Sequence, residues 1–126
     1  MKRREAREKA LQTLFQLDNT GLTVNEAIVH VNEGKSDEFF EGLVRGTVEK
    51  LADIDEQLRG KIENWSLERL PKIERTILRM SLYELLYMKD APAKVVLNEA
   101  IELSKLYGDE QSSRFVNGVL SKFAAE

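Results

Sequence analysis

Four cations fall within the first seven residues of this chain: Lys2, Arg3, Arg4 and Arg7. On a helix Arg3, Arg4 and Arg7 lie within one arc of about 100°, so the spacing predicts three guanidinium groups pointing the same way. Cations in a first helical turn oppose the macrodipole by a few tenths of a kcal/mol each, up to about 1. A bound anion offsets that cost, because exposed N–H groups, the helix dipole and the arginine forks all attract it. The alternative left open by charge alone is a solvated terminus in which Arg7 pairs with Glu8 or with a neighbouring helix. The remaining candidates for chemistry are single residues. His30 has no second histidine and no cysteine to join it, so it reads as an ordinary surface or half-buried side chain. Glu84 is a carboxylate in a largely apolar stretch, and such groups are usually satisfied by a hydrogen bond or by an arginine such as Arg79.

The chain has no cysteine, which excludes disulfides and thiolate metal sites, and it contains no GxxxxGK[ST], GxGxxG or GxSxG string. The expectation is therefore a binding protein, not an enzyme, with no cofactor and no metal. The net charge is −3, yet Lys2, Arg3, Arg4, Arg7 and Lys9 against Glu5 and Glu8 give residues 1–9 a balance of +3, leaving −6 for the rest. A basic end on an otherwise acidic chain implies a localised anion contact, since a general nucleic-acid binder would be basic throughout. No signal peptide and no apolar run of the roughly 20 residues a bilayer needs is present, so no membrane contact is expected and the expected location is the cytoplasm.

Positioning these residues requires helices. Two prolines and seven glycines among 126 residues are too few for a many-turned β fold, and 42% hydrophobic content suffices for a core. The stretch Leu70–Met88 places apolar side chains nearly all round and reads as the central buried helix, with Pro71 in its first turn. Around it the pattern predicts helices from about Arg3 to Leu17, from Thr23 (a capping-box spacing to Glu26) to near Gly34, from Ser36 or Asp37 in one long run to Ile62, from Ala93 to Tyr107 with Gly108 at C′, and from Glu110 to Ala124. Gly42 and Gly46, one turn apart, are expected to permit close approach of another helix. Asn64, Trp65 and Ser66 break the pattern, which divides the chain into predicted halves 1–64 and 65–126 with Trp65 as an aromatic plug between them.

The strings RREAREKALQTLFQ, WSLERLPKIERTILRMSLYEL, VVLNEAIELSKLYG and SSRFVNGVLSK resemble the bacterial NusB family in order and spacing across essentially the whole chain. That resemblance implies an all-α fold of two packed three-helix bundles, with about six to seven helices. It implies a transcription antitermination factor that binds the single-stranded boxA element of ribosomal RNA transcripts together with the ribosomal protein NusE, within the RNA polymerase antitermination complex of other Nus factors. By the same resemblance the RNA-contacting set comprises Lys2, Arg3, Arg4 and Arg7, with Gln111, Ser112, Arg114 and Phe115 at the start of the last helix. Glu5 stands where some relatives carry a further arginine. Phe115 either stacks on a base or belongs to the core near Val119. Phe15 and Glu74 are the implied contacts to NusE. Two other readings stay open from sequence: a protein-interaction adaptor that does not bind RNA, and the helical accessory module of a ribosomal RNA methyltransferase.

Overall fold

The computed structural model describes residues 1–124; positions 125–126, the end of the second predicted half, lie outside the described residues. Among the described residues there are seven α-helices and no strand: α1 Arg3–Asn19, α2 Val24–Asn32, α3 Glu38–Glu49, α4 Leu51–Lys61, α5 Lys72–Tyr83, α6 Ala93–Tyr107 and α7 Glu110–Ala124. The all-α expectation holds. None of these helices is long and apolar enough to cross a membrane.

The central position of α5 follows from its composition. Ile77, Leu78 and Leu82 have no accessible surface and Met80 has almost none. It packs on α1, α3 and α4 on one side and on α6 and α7 on the other. A continuous apolar core therefore runs from Leu11, Phe40, Leu43 and Ile54 through Ile77 and Leu78 to Val116 and Leu120. Pro71 precedes the helix as its N-cap, extended at φ −53° and ψ 143°. At the other end the expected single helix widens into a π turn over Glu84–Met88, closed where the Lys89 N–H donates to the Glu84 carbonyl at 3.1 Å with Lys89 left-handed at φ 53°.

The helix expected over 36–62 is two helices that meet at Lys50, whose backbone lies at φ −98°, ψ 15°. The Lys50 N–H still donates to the Gly46 carbonyl and the Ile54 N–H to the Lys50 carbonyl, each at 2.9 Å, so the apolar phase carries across the bend without a proline or glycine to mark it. The bend lets both segments lie against α5. Thr23 caps α2 as its spacing predicted, accepting from the Glu26 N–H while the Glu26 carboxylate accepts from the Thr23 N–H.

Trp65 does not plug the seam. It is 61% exposed, and the space is filled instead by Leu67 and Leu70, both buried. A short 3₁₀ turn over Leu67–Arg69 directs those two leucines inward.

Candidate nucleic-acid interface

The first turn of α1 has no side-chain N-cap, and Lys2, Arg3 and Arg4 surround its open N–H groups as exposed residues. Two of these cations are already engaged. Arg3 pairs with Asp90 at 2.7 Å and lies over the Phe39 ring at 4.5 Å, and Arg4 pairs with Glu99 at 3.1 Å. Both pairs have at least one partner half-exposed, and surface pairs of that kind are worth only about 0–1 kcal/mol, little enough for a phosphate to displace.

Arg7 corrects the expectation of three arginines on one exposed face. It is buried, and its Nε and Nη2 donate to the two Glu84 carboxylate oxygens at 2.9 and 2.6 Å while Nη1 lies 3.5 Å from Glu99. The hydrogen bonds that Arg7 donates to Glu84 raise its pKa above the ordinary value, against the opposing effect of burial. Of the two open alternatives, pairing with a neighbouring helix is the arrangement found. Arg7 thus anchors α1 to the end of α5. The expected partner of Glu84 also changes, because Arg79 is committed to Asp55 by two hydrogen bonds of 2.8 Å. The sequence held a signal for this: Arg7, Ala10, Leu11 and Leu14 share one stripe of α1, and Ile77, Met80, Ser81 and Glu84 share one stripe of α5. Each charge occupies an inward position in an otherwise apolar pattern, which calls for a partner of opposite sign.

The second group of candidates gathers at the start of α7. Asp109 caps this helix, its carboxylate accepting from the Ser112 N–H at 2.8 Å, and that hydrogen bond holds its pKa below the usual carboxylate value. The Ser112 hydroxyl donates to Glu74 at 2.7 Å, so a residue expected at RNA touches one expected at NusE. Gly108 makes the tight entry possible. A Cβ there would stand 2.7 Å from the Ser112 Oγ and 2.9 Å from the Ser104 carbonyl, so the glycine expected at this helix end is required by crowding. Gln111 and Arg114 are exposed and Phe115 is half-buried, lining a cavity of about 330 Å³ together with Gln111, Ser112 and Glu74 while also touching the core.

Phe15 lies 12 residues along α1 from Arg3, about 18 Å at helical rise. It is half-buried under the Lys72 ammonium, 5.3 Å from the ring centroid, at the N-terminal end of α5 that also carries Glu74. His30 is exposed on α2 and takes no part in either group. Residues Trp65 and Arg69, which also line the cavity beside Phe115, were not singled out as binding residues from sequence.

Residues 4–125 match the model of the NusB family. The transcription antitermination protein NusB of Lysinibacillus sphaericus (strain C3-41) is 62% identical over 126 residues, covering 100% of this chain and 99% of that protein. Among solved structures, T. maritima NusB superposes with a TM-score of 0.90 at 35% identity, covering 100% of this chain and 92% of the other. A crystal structure of antitermination factors NusB and NusE in complex with double-stranded RNA gives a TM-score of 0.87 at 29% identity, covering 98% and 96% of the two chains. With a family match across nearly its whole length, relatives of this similarity and the same helical architecture, this chain belongs to the NusB family.

Proposed function

We propose that this chain is a cytoplasmic, non-catalytic antitermination factor that binds boxA RNA of ribosomal RNA transcripts together with NusE and promotes processive transcription of those genes. The observation that carries the reading is the uncapped start of α1, where Lys2, Arg3 and Arg4 stand exposed around free N–H groups. A phosphate placed there meets the dipole, the amides and the cations together. Phe115, with the exposed Gln111 and Arg114 near it, supplies a surface for unstacked bases at the start of α7, where Ser112 is buried under its hydrogen bond to Glu74. Phe15 and Glu74 adjoin that end and form the NusE contact. The related NusB–NusE complex with RNA supports both partners.

The mechanism is assembly. RNA held by the protein raises the effective concentration of a NusE bound to the same transcript, so each contact strengthens the other. Because Ser112 hydrogen-bonds to Glu74, the RNA-side and partner-side residues form one continuous surface. Displacing Asp90 and Glu99 from Arg3 and Arg4 costs part of the phosphate energy, which keeps the affinity for RNA alone modest.

Reversing Lys2, Arg3 and Arg4 to glutamate tests the reading by fluorescence anisotropy with a labelled boxA RNA. The expected result is at least a tenfold loss of affinity and a log–log salt slope that flattens by about 2, at roughly 0.7 per lost single-strand phosphate contact. Unchanged RNA binding by the reversed protein would place the RNA away from the start of α1, and no RNA binding by either protein would favour an adaptor whose basic end is solvated. A duplex of the same sequence, run alongside, establishes which strandedness the surface takes.

A further inference from the structure

We propose that Trp65, which lines the cavity at the start of α7 together with Phe115, forms a receptacle for one unstacked RNA base, with Arg69 holding a phosphate at its rim. The inference rests on the reading that the chain binds RNA, and it extends the recognition surface to the segment between α4 and α5.

Three independent observations converge on this place. The first is Trp65 itself, the one tryptophan of the chain, left 61% exposed although Leu67 and Leu70, which follow it, are buried. A large amphipathic ring kept at the surface is characteristic of recognition sites. The second is the cavity, about 330 Å³, with Trp65, Leu70, Pro71 and Phe115 as its apolar walls. Two aromatic rings bordering one cavity offer stacking that is tolerant of base identity, and ssDNA or ssRNA sites are built this way.

The third concerns the arginines. Of the nine in the chain, seven have side-chain partners: Arg3, Arg4, Arg7, Arg45, Arg59, Arg75 and Arg79. Among the described residues, Arg69 and Arg114 are the two whose side chains form no hydrogen bond or ion pair; Arg69 lines this cavity, and Arg114 is exposed on α7 outside its lining. Unengaged guanidinium groups need no carboxylate displaced before they meet a phosphate. That sets them apart from Arg3 and Arg4.

The polar lining decides which part of a nucleotide goes inside. Glu74 and Asp109 present carboxylates to the cavity, each with one oxygen committed to Ser112. Two carboxylates repel a phosphate, and Asp109, which the NusE contact does not use, can accept a hydrogen bond from the amino or imino N–H of a base edge. The base therefore enters and the backbone stays at the rim.

The single tryptophan makes the test direct. Titrating a boxA RNA of about 12 nucleotides into the full chain is expected to quench Trp65 emission in step with the anisotropy change. Trp65→Ala is expected to weaken RNA binding about tenfold, the loss of one stacked base, while Trp65→Phe retains most of it. Because Trp65 is exposed, Trp65→Ala should melt within a few degrees of the parent, which separates lost binding from lost folding. RNA binding with unchanged Trp65 emission, and a Trp65→Ala protein that binds like the parent, would overturn the receptacle and leave the RNA reading standing. Quenching by NusE in place of RNA would overturn it too, assigning the cavity to the protein partner. If the parent binds no RNA, both fall.

Discussion

Glu84→Ala is expected to destabilise the protein by about 3 kcal/mol, lowering Tm by roughly 10–15 °C for a chain of this size. Glu84 and Arg7 are 2% and 4% exposed and share two hydrogen bonds of 2.9 and 2.6 Å. Removing the carboxylate leaves a buried guanidinium with only Glu99, 3.5 Å away, and the Phe39 ring, 5.3 Å from its carbon, as partners. Breaking such a pair costs about 3–5 kcal/mol, and Glu99 brings this case to the lower end. The pair itself is not a large net source of stability, because desolvating both groups consumes most of the attraction. The double variant Arg7→Met/Glu84→Leu should accordingly recover most of the lost Tm. A Glu84→Ala protein that melts within about 2 °C of the parent would show that the ion pair is solvated, and would return Arg7 to the exposed cluster.

Two glycines one turn apart on α3 should respond to alanine with opposite signs. At Gly46 an added methyl would overlap the ring and hydroxyl of Tyr83. The ring has little room to retreat, being stacked on Tyr87 at 5.5 Å, whose hydroxyl accepts from Gln57 at 3.1 Å. The gain in helix propensity, about 1 kcal/mol, is outweighed by overpacking of about 1–3 kcal/mol or more, so Gly46→Ala destabilises by at least 1 kcal/mol. At Gly42 the methyl would meet only the tip of Met88 at 3.8 Å, an ordinary contact, and Gly42→Ala should stabilise by up to about 1 kcal/mol. Shrinking the ring with Tyr83→Leu should relieve Gly46→Ala and do nothing for Gly42→Ala. Denaturant melts of the four proteins decide it, and equal effects at the two glycines would contradict the helix contact described.

The elements set by local patterning were legible. The capping box at Thr23 and Glu26 and the apolar girth of the segment around Leu78 express short-range rules, and the structure follows them; Gly108, expected at C′, is the C-cap residue itself at φ −122° and ψ −123°, and crowding against Ser112 is what requires it. What patterning could not supply was tertiary direction. An arc of three arginines does not say which edge of the arc meets the core, and the edge that does carries Arg7. Nor does an unbroken apolar phase from Phe40 to Leu58 reveal the bend at Lys50, since the hydrogen bonds on either side preserve the phase. Trp65 misled for a related reason: hydrophobicity predicts burial on average, and this ring stays at the surface. Within the candidate interface, the exposure of Lys2, Arg3 and Arg4 followed from the charge pattern. The residues at Gln111–Phe115 came from family resemblance, and their meeting with Trp65, Arg69 and Glu74 required the fold.

RNA and NusE are expected to share one surface. Anisotropy titration of a boxA RNA and a scrambled RNA, across a salt series and with or without NusE, tests it most directly. BoxA is expected to bind more tightly than the scrambled strand, with log affinity falling with log salt at a slope near −3, for about four single-strand phosphate contacts at Lys2, Arg3, Arg4 and Arg69. NusE is expected to strengthen boxA binding by about tenfold or more. Equal affinity for boxA with and without NusE would contradict the shared surface, and equal affinity for the two RNAs would contradict recognition of the bases.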